Sequence, residues 1–345
     1  MNEPIKILPS SKVLTFGELL LRISPDEGGQ WLYDNSFPFY IAGAELNAAT
    51  ALALWGVPVK YMTALPDNGM ARQIAEFLEK QHIDISSILY REGRLGLYFL
   101  TKGRDLKNDA LIYDRAHSAF SLLKPGMIDW DTLFEGIGWF HFSAICPAIN
   151  QNIAEVCKEA LEAASKKGVV VSVDLNYRSK LWKYGKAPID IMPGLVQYCD
   201  LVMGNVWAIE AMLGIPVVPG IHESGQRSIY LKEALKTSQE LVRQYPRCKA
   251  VANTFRFDGS GEIDYYASLY TAGEFYASNE YSASHIINKV GSGDCFMAGL
   301  IYGYYQGFDP EKTLEFATAA AFEKLFVESD VIDKKADEIL TRLSG

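Results

Sequence analysis

The chain of 345 residues is 49% hydrophobic, enough to bury the core of one large α/β domain or of two ordinary ones. Its formal net charge of -9 excludes a basic nucleic-acid footprint. Five cysteines without C-x-x-C spacing fit neither a closed disulfide framework nor a zinc ribbon. No run is apolar for long enough to be a signal peptide or a membrane span. We therefore expect a cytoplasmic protein that binds small molecules rather than nucleic acid or a membrane.

Strands and helices alternate along most of the chain, which predicts crossover connections and a mostly parallel sheet flanked by helices on both faces. In the first part, the predicted strand, helix, strand and helix are VLTFGELLLRI (13–23), AELNAATALALWG (44–56), VKYMTAL (59–65) and MARQIAEFLEKQ (70–81). The second part has WFHFSAI (139–145), a helix over 151–167, VVVSVDL (169–175), a helix near 188–198, DLVMGN (200–205) and a helix to Leu213.

Residues 94–118 differ from this alternation, because they mix polar and apolar positions and predict two strands around a polar turn. Together with the aromatic segment at about 30–42, they predict a small β-sheet lid over a cleft of a single domain, 1–345. Residues 218–230 are rich in Gly, Ser, His and Pro and predict an exposed loop.

The segment NKVGSGDCFMAGLIYGYYQG (288–307) carries the strongest chemical signal. Gly291, Ser292 and Gly293 precede a predicted helix, and Asp294 lies in its first turn. Backbone N–H groups at such a turn can approach an anion closely, and the helix dipole favours negative charge there. Taken alone, Asp294 is better explained as a capping carboxylate.

The pattern G-[AS]-G-D, followed by a small residue, Phe and a helix with A-G, resembles the C-terminal signature of ribokinase (PfkB) family carbohydrate kinases. The resemblance implies a ribokinase-like α/β fold and ATP-dependent phosphorylation of a sugar hydroxyl. Asp294 would be the general base, and the amides of Gly291, Ser292 and Gly293 would form an anion hole. The segment IAGAELNAATALALWG (41–56) resembles the N-terminal signature, which places Gly43 and Asn47 beneath the sugar.

The string DLNYRSKLW (174–182) resembles the D-x-N-Y-R-x-x-L-W segment of 2-keto-3-deoxygluconate kinases, the members to which this chain is most similar. Arg178 would bind the carboxylate of an acidic sugar or a phosphate, and Asn176 is a lesser substrate-binding candidate. A structural salt bridge is the alternative role for Arg178.

The strings GLY (96–98) and IYDR (112–115) resemble the lid strands of those kinases, whose Tyr and Arg contact the sugar. They make Tyr98, Tyr113 and Arg115 substrate-binding candidates on one side of the lid. Packing or a dimer interface are the alternatives. Glu18 is a lesser candidate, either as a pocket group or as a solvated charge.

The chain departs from the family pattern near the phosphates. Asn288 and Lys289 stand where Asp-Thr is usual, and the loss of the carboxylate affects the anion hole or a nearby monovalent cation site. Lys289 could contact phosphates. Asn205 of the N-x-x-E element is kept, but Ala208 replaces its Glu and Glu210 is displaced by two residues. We therefore expect ATP phosphates and waters to hold Mg²⁺, and its protein ligands are left unassigned.

The segment 249–270 replaces the usual nucleotide-binding strand and turn. Thr254, Gly259 and Gly261 are candidates for contact with ATP, and a plain hairpin with a D-G turn explains them as well.

The leading hypothesis is a kinase that converts 2-keto-3-deoxygluconate to its 6-phosphate with Mg-ATP. A kinase for another keto-sugar such as fructose, or a catalytically weak sugar- or nucleotide-binding protein, are the alternatives. A dinucleotide-dependent dehydrogenase is disfavoured because no G-x-G-x-x-G follows the first strand. We expect a homodimer formed through the aromatic lid strands, with exposed Phe37, Phe39, Tyr40 and Tyr98.

Overall fold

The fold is seen in a computed structural model that describes residues 5–7, 11–25, 36–101, 111–223, 225–258 and 262–343. The strands are β1 Lys12–Phe16, β2 Leu20–Ile23, β3 Phe39–Ala42, β4 Val59–Met62, β5 Ala64–Pro66, β6 Ile83–Asp84, β7 Leu89–Arg91, β8 Gly96–Phe99, β9 Ile112–Asp114, β10 Ile137–Ser143, β11 Val170–Asp174, β12 Leu201–Met203, β13 Ala250–Asp258, β14 Ile263–Thr271, β15 Glu274–Ala277 and β16 Tyr281–Ala283. The helices are α1 Ala44–Leu54, α2 Gly69–Lys80, α3 Trp130–Leu133, α4 Gln151–Lys166, α5 Pro188–Val196, α6 Val206–Leu213, α7 Arg227–Gln244, α8 Ser292–Tyr305, α9 Pro310–Glu323 and α10 Ala336–Leu343, with 3₁₀ turns at Ile221–Glu223 and Lys324–Phe326.

The main sheet has the strand order β15-β14-β13-β12-β11-β10-β1-β4-β6, and β16 also pairs with β14. From β13 to β6 all neighbours are parallel, whereas β14 is antiparallel to β13, β15 and β16. The predicted mostly parallel sheet is therefore confirmed.

Successive residues of the central strands point into two different cores. Val13 of β1 belongs to a buried cluster with α1, α8 and α9, and Leu14 belongs to a cluster with α4 and α5. Trp139 and Phe140 of β10 divide between the two cores in the same way. Because strand side chains alternate between faces, this division confirms that helices cover both faces of the sheet.

A separate small sheet has the order β3-β2-β8-β9, in which β8 and β9 form the antiparallel pair predicted within 94–118. Of the predicted segment at 30–42, residues 39–42 form β3, and 30–35 lie outside the described residues, as do 102–110. The prediction of one strand over 13–23 is wrong, since β1 enters the main sheet and β2 enters the small one. The chain changes sheet at Gly17 and Glu18, where a buried carboxylate interrupts the apolar run.

The predicted loop at 218–230 is also partly wrong, because it contains the 3₁₀ turn at 221–223 and α7 begins at Arg227. Tyr230 explains the difference. Its side chain is buried and stacks on Phe257 with 4.7 Å between ring centroids, so apolar packing holds the first turn of α7.

Helices α8 and α9 pack closely beside the pocket end of the sheet. A Cβ atom at Gly299 of α8 would lie too close to Ala317 of α9, and one at Gly303 would lie too close to Thr313. These two glycines therefore allow the two helices to approach each other closely. No helix in the described part of the chain is both long and apolar enough to cross a membrane.

Candidate active site

A cavity of about 400 Å³ lies between the carboxyl ends of the parallel strands, the N-terminus of α8 and the small sheet. Ligands of open α/β sheets bind at this edge. Every described residue of the predicted site lines it: Gly43, Asn47, Tyr98, Tyr113, Arg115, Asn176, Arg178, Asn205, Thr254, Lys289, Gly291, Ser292, Gly293 and Asp294. Gly259 and Gly261 lie outside the described residues.

Asp294 lies in the first turn of α8, on the floor of the cavity. Its Oδ2 atom accepts a hydrogen bond of 2.7 Å from the side-chain amide of Asn47 in α1. Thus the two predicted signatures, 247 residues apart, meet through one hydrogen bond. Burial raises the pKa of Asp294 to about 8; the Asn47 hydrogen bond and Arg178 lower it, and the charges of Asp174 and Glu45 raise it.

The first turn of α8 has no side-chain cap, because its N-cap residue is Gly291. Gly291 has a φ of 82°, and a Cβ atom there would overlap the carbonyl oxygen of Asp330, so another residue would be strained and crowded. The Ser292 hydroxyl donates to the carbonyl oxygen of Ala321 at 3.0 Å. The hydroxyl is thus used inside the protein, and the backbone amides of this turn remain suited to an anion.

Gly43 begins α1 with a φ of 148°, and a Cβ atom there would press on the carbonyl oxygen of Glu18. This close approach brings the start of α1 under the cavity, where Asn47 is buried. Among the described residues, the Asn47 Oδ1 atom and the Glu18 Oε1 atom are buried acceptors without a donor. Both residues line the cavity, so a ligand with hydroxyl groups could supply the donors.

Arg178 follows β11 and is only partly buried at the cavity. Its Nη1 atom donates to the Tyr177 carbonyl oxygen at 3.0 Å, and its Nε atom is buried without a partner in the described part of the protein. Asp174, at the end of the same strand, accepts from the backbone N–H of Asn176 at 2.9 Å. Burial raises the pKa of Asp174 to about 6.

The residues of the small sheet are more strongly engaged than Arg178. Tyr98 and Tyr113 face each other across β8 and β9 with 6.3 Å between ring centroids. The Tyr98 hydroxyl donates to Asp330 at 2.7 Å, and the Arg115 Nε atom donates to Glu18 at 2.5 Å. Tyr98 is 5% exposed, which corrects its expected role as an exposed aromatic residue.

The cavity also has cationic side chains and the N-terminus of α8 in its wall. Lys289, Arg256 and Thr254 line the cavity, and so does the first turn of α8. Asn205 caps α6 by accepting from the backbone N–H of Ala208 at 2.8 Å. These donors and cations fit the phosphates of ATP, whose negative charges they would compensate.

No group of three or more His, Cys, Asp or Glu side chains within the described ranges could hold a metal ion. Glu210 accepts from the backbone N–H of Val217 at 3.0 Å and does not line the cavity.

The polar and aromatic residues that line the cavity but were not among the predicted site residues include Glu45, Asp174, Tyr177, Trp207, Arg256 and Tyr265. Arg256 had a usable signal, because it lies two residues after Thr254 on β13 and therefore on the same strand face. Glu45 accepts from the backbone N–H and the hydroxyl of Ser143, at 2.9 and 2.6 Å, and burial raises its pKa. A carboxylate within the apolar α1 gave no comparable signal.

Comparison with known proteins identifies relatives of the whole chain. The model of the pfkB family carbohydrate kinases matches residues 10–331. The structure of 2-dehydro-3-deoxygluconokinase from Thermotoga maritima is 35% identical, with a TM-score of 0.87 over 97% of this chain and 100% of that one. The 2-dehydro-3-deoxygalactonokinase of Haloferax volcanii is 25% identical over 97% of this chain and 98% of its own.

A protein from E. coli, named a candidate ribokinase II and solved with ATP and Mg²⁺, shares the fold. It is 20% identical, with a TM-score of 0.76 over 97% of this chain and 99% of that one. The resemblance inferred from the two signatures is confirmed by the family match across nearly the whole chain. This chain belongs to the pfkB family of carbohydrate kinases and is itself a carbohydrate kinase.

Proposed function

We propose that the protein phosphorylates 2-keto-3-deoxygluconate to its 6-phosphate with Mg-ATP. The observation that carries the proposal is the position of Asp294, which lies at the N-terminus of α8 and is oriented by Asn47. Asp294 accepts the proton of the sugar hydroxyl while the hydroxyl oxygen bonds to the γ-phosphorus and ADP leaves. Phosphoryl transfer needs such positioning and charge stabilisation more than covalent chemistry.

The amides of Gly291, Ser292 and Gly293 stabilise the charge on the transferred phosphoryl group in this proposal. Lys289, Arg256, Thr254 and Asn205 lie on the side that would receive ATP. The proposal includes no monovalent cation, because the buried ammonium group of Lys324 lies beside Asn288.

Arg178 supports an acidic substrate. Its unpartnered Nε donor is at the cavity, and a guanidinium group suits a carboxylate better than a neutral hydroxyl does. The names of the Thermotoga maritima and Haloferax volcanii relatives agree with a keto-deoxy sugar acid. The acceptors of Asn47 and Glu18 would receive hydrogen bonds from the sugar hydroxyls.

Arg115 favours the second candidate, a kinase for a neutral keto-sugar such as fructose. Its Nε atom is bonded to Glu18 within the protein, so one of the two arginines assigned to the substrate has a structural partner. In the first candidate, the carboxylate is bound mainly by Arg178.

The small sheet serves as the lid of a single domain in this proposal. Tyr113 and Arg115 place it at the wall of the cavity, and closure over the sugar would exclude water and limit ATP hydrolysis. We further propose that its exposed edge strands form a homodimer.

ADP release should be measured with Mg-ATP and 2-keto-3-deoxygluconate, 2-keto-3-deoxygalactonate, gluconate, fructose or ribose. We expect turnover of a keto-deoxy acid and a loss of about 10²-fold or more in kcat for Asp294→Asn, because the general base is removed. Asp309→Asn is the matched control, since this exposed N-cap of α9 tolerates Asn.

Turnover only of fructose would favour the second candidate. Binding of ATP or sugar without turnover of any substrate would instead support a binding protein and exclude the proposed activity. Full activity of Asp294→Asn would remove Asp294 from its proposed role.

A further inference from the structure

Lys324 is a buried lysine that the proposed chemistry does not use. Its side chain is 0% exposed, and it lies in the 3₁₀ turn that follows α9. Its Nζ atom lies 3.4 Å from the carbonyl oxygen of Asn288 and 3.2 Å from that of Val327. Lysine is almost never fully buried without such partners, because burial of an unpaired charge is costly.

The two carbonyl groups belong to two different loops behind the anion hole. The first loop, 287–291, leads into α8, and the second, 324–331, follows α9. The backbone N–H groups of Ile287 and Asn288 donate to the Leu325 carbonyl oxygen at 2.8 and 3.1 Å. The Asn288 side-chain amide donates to the Glu328 carbonyl oxygen at 2.9 Å. Lys324 therefore lies in the contact between these two loops, the seam, which fixes the start of α8.

The seam gathers several carbonyl oxygens, which are acceptors that a cationic donor can satisfy. Asp330, its carboxylate, is already paired with Arg22 at 2.8 Å and with the Tyr98 hydroxyl at 2.7 Å. Asn288 is neutral, although an aspartate is usual at this position in the resemblance described above. Arg22 also donates to the Glu328 carbonyl oxygen at 3.2 Å, so the ammonium group of Lys324 contributes a second cation to this seam.

The charge of Lys324 also acts on the first turn of α8, which holds Asp294. Burial and the charge of Arg22 lower its pKa, to about 8, and the charges of Asp330, Cys295 and Asp294 oppose this shift. Around neutral pH the ammonium form therefore predominates. A positive charge behind the first turn of α8 adds to the field of the helix dipole that the amides direct at the phosphoryl group.

We infer that Lys324 is a positioning residue whose ammonium group serves as a built-in cation, holding loop 287–291 against loop 324–331 and making kinase activity independent of K⁺ and Na⁺. The inference rests on the proposed kinase function. It assigns to one side chain of this protein the role of the monovalent cation that the resemblance implies.

The first test uses the unmodified protein and its preferred sugar. kcat is measured in potassium, sodium and tetramethylammonium chloride at equal ionic strength, so that general screening is constant. We expect kcat to agree within about two-fold among the three salts, because the required cation is part of the protein. A stimulation by K⁺ of about ten-fold or more over tetramethylammonium would overturn the inference.

The second test replaces the cation. Lys324→Met retains most of the volume without the charge, and we expect kcat to fall about 10- to 100-fold while KM for the sugar changes little. In Lys324→Ala, K⁺ or NH₄⁺ should restore part of kcat, because the small side chain leaves room for an ion. Lys335→Met, at an exposed lysine nearby, is the matched control and should retain wild-type kcat. Unchanged kcat in Lys324→Met would contradict the role.

Thermal unfolding provides a measurement that does not need catalysis. K⁺ should raise the Tm of Lys324→Ala and leave that of the wild type unchanged, since an ion that binds only the folded state stabilises it. This result without turnover of any sugar would support the built-in cation and reject the proposed substrate. Equal Tm responses in both proteins would reject the built-in cation. If the variants do not fold, the salt comparison on the wild type decides.

Discussion

The Asp294 side chain is buried, accepts a hydrogen bond and lies near two other carboxylates. Burial is the largest influence and raises its pKa to about 8, while Asn47 opposes the shift. A base with a pKa near the working pH is efficient, since it is partly ionised and still accepts a proton readily. The environment therefore suits the role proposed for this residue.

In the proposed mechanism the ionised form of Asp294 is the base, so kcat/KM should fall as the pH decreases from about 8 toward 6. In Asn47→Leu, loss of the hydrogen bond that lowers the pKa should move this decline to higher pH. The measurement is the profile of kcat/KM between about pH 6 and 9 for both proteins. A flat wild-type profile over this interval would show that Asp294 is ionised throughout and would contradict the raised pKa.

The same pKa shift predicts a change in stability. A carboxyl group whose pKa is raised by folding favours the folded state below its unfolded pKa, and this contribution is lost as the pH rises through about 8. Asp294→Asn should therefore have a higher Tm than the wild type at pH 8. The difference should shrink at pH 5, where the wild-type carboxyl is protonated.

Arg115 and Arg178 lie at one cavity but should respond differently to removal of their charge. Arg178→Met should raise KM for the sugar acid about 10- to 100-fold with little change in stability, because a charge-assisted hydrogen bond to substrate is lost. Arg115→Met leaves the buried Glu18 carboxylate unpaired and should cost about 3–5 kcal/mol in free energy of unfolding. Substrate kinetics and denaturant unfolding of both variants separate the roles.

The double variant Arg115→Met with Glu18→Gln is the control, because it removes the unpaired charge and should recover part of the lost stability. A stable Arg115→Met protein with a raised KM would instead make Arg115 the principal carboxylate-binding residue.

At the scale of elements, the predicted helices were more reliable than the predicted strand ends. The glycine-rich turn before α8 and the small residues within it are consecutive in sequence, so local pattern was sufficient to predict the helix and its start. The run over 13–23 was wrongly predicted as one strand, because β1 and β2 are separated by only three residues and both are apolar. Which sheet each strand enters depends on distant partners, β10 for β1 and β8 for β2.

The two edges of the small sheet affect how the whole molecule can assemble with a second copy. Phe39 of β3 is 55% exposed and Ile112 of β9 is 54% exposed, and these strands form the opposite edges of the sheet. Exposed apolar edge strands are suited to pairing with another chain. They support the proposed homodimer, although Tyr98 does not contribute an exposed ring.

The double variant Phe39→Lys with Ile112→Lys should therefore be monomeric where the wild type is dimeric, because charges on both edges oppose strand pairing. Size-exclusion chromatography with light scattering measures the mass directly. Phe77→Lys is the control, since Phe77 is exposed on α2 away from the small sheet. A monomeric wild type at concentrations used for assay would exclude the dimer.

The sequence by itself determined the α/β class, the family and the position of Asp294 after a glycine-rich turn. Strand and helix periodicity, helix-start signals and both signatures are written in neighbouring residues, so they can be recognised without the fold. The same local patterns predicted that the site residues lie at one edge of the sheet, because parallel strands end together there.

Only the tertiary structure decided how those side chains are used. Glu18 and Arg115 are 97 residues apart, Tyr98 and Asp330 are 232 apart, and Asn288 and Lys324 are 36 apart, yet each pair is in contact. Partners of buried polar groups depend on which elements fold together, and local sequence carries little information about that choice. The structure therefore distinguishes an arginine engaged by Glu18 from one facing the cavity, and it places a lysine behind the loop that leads into α8.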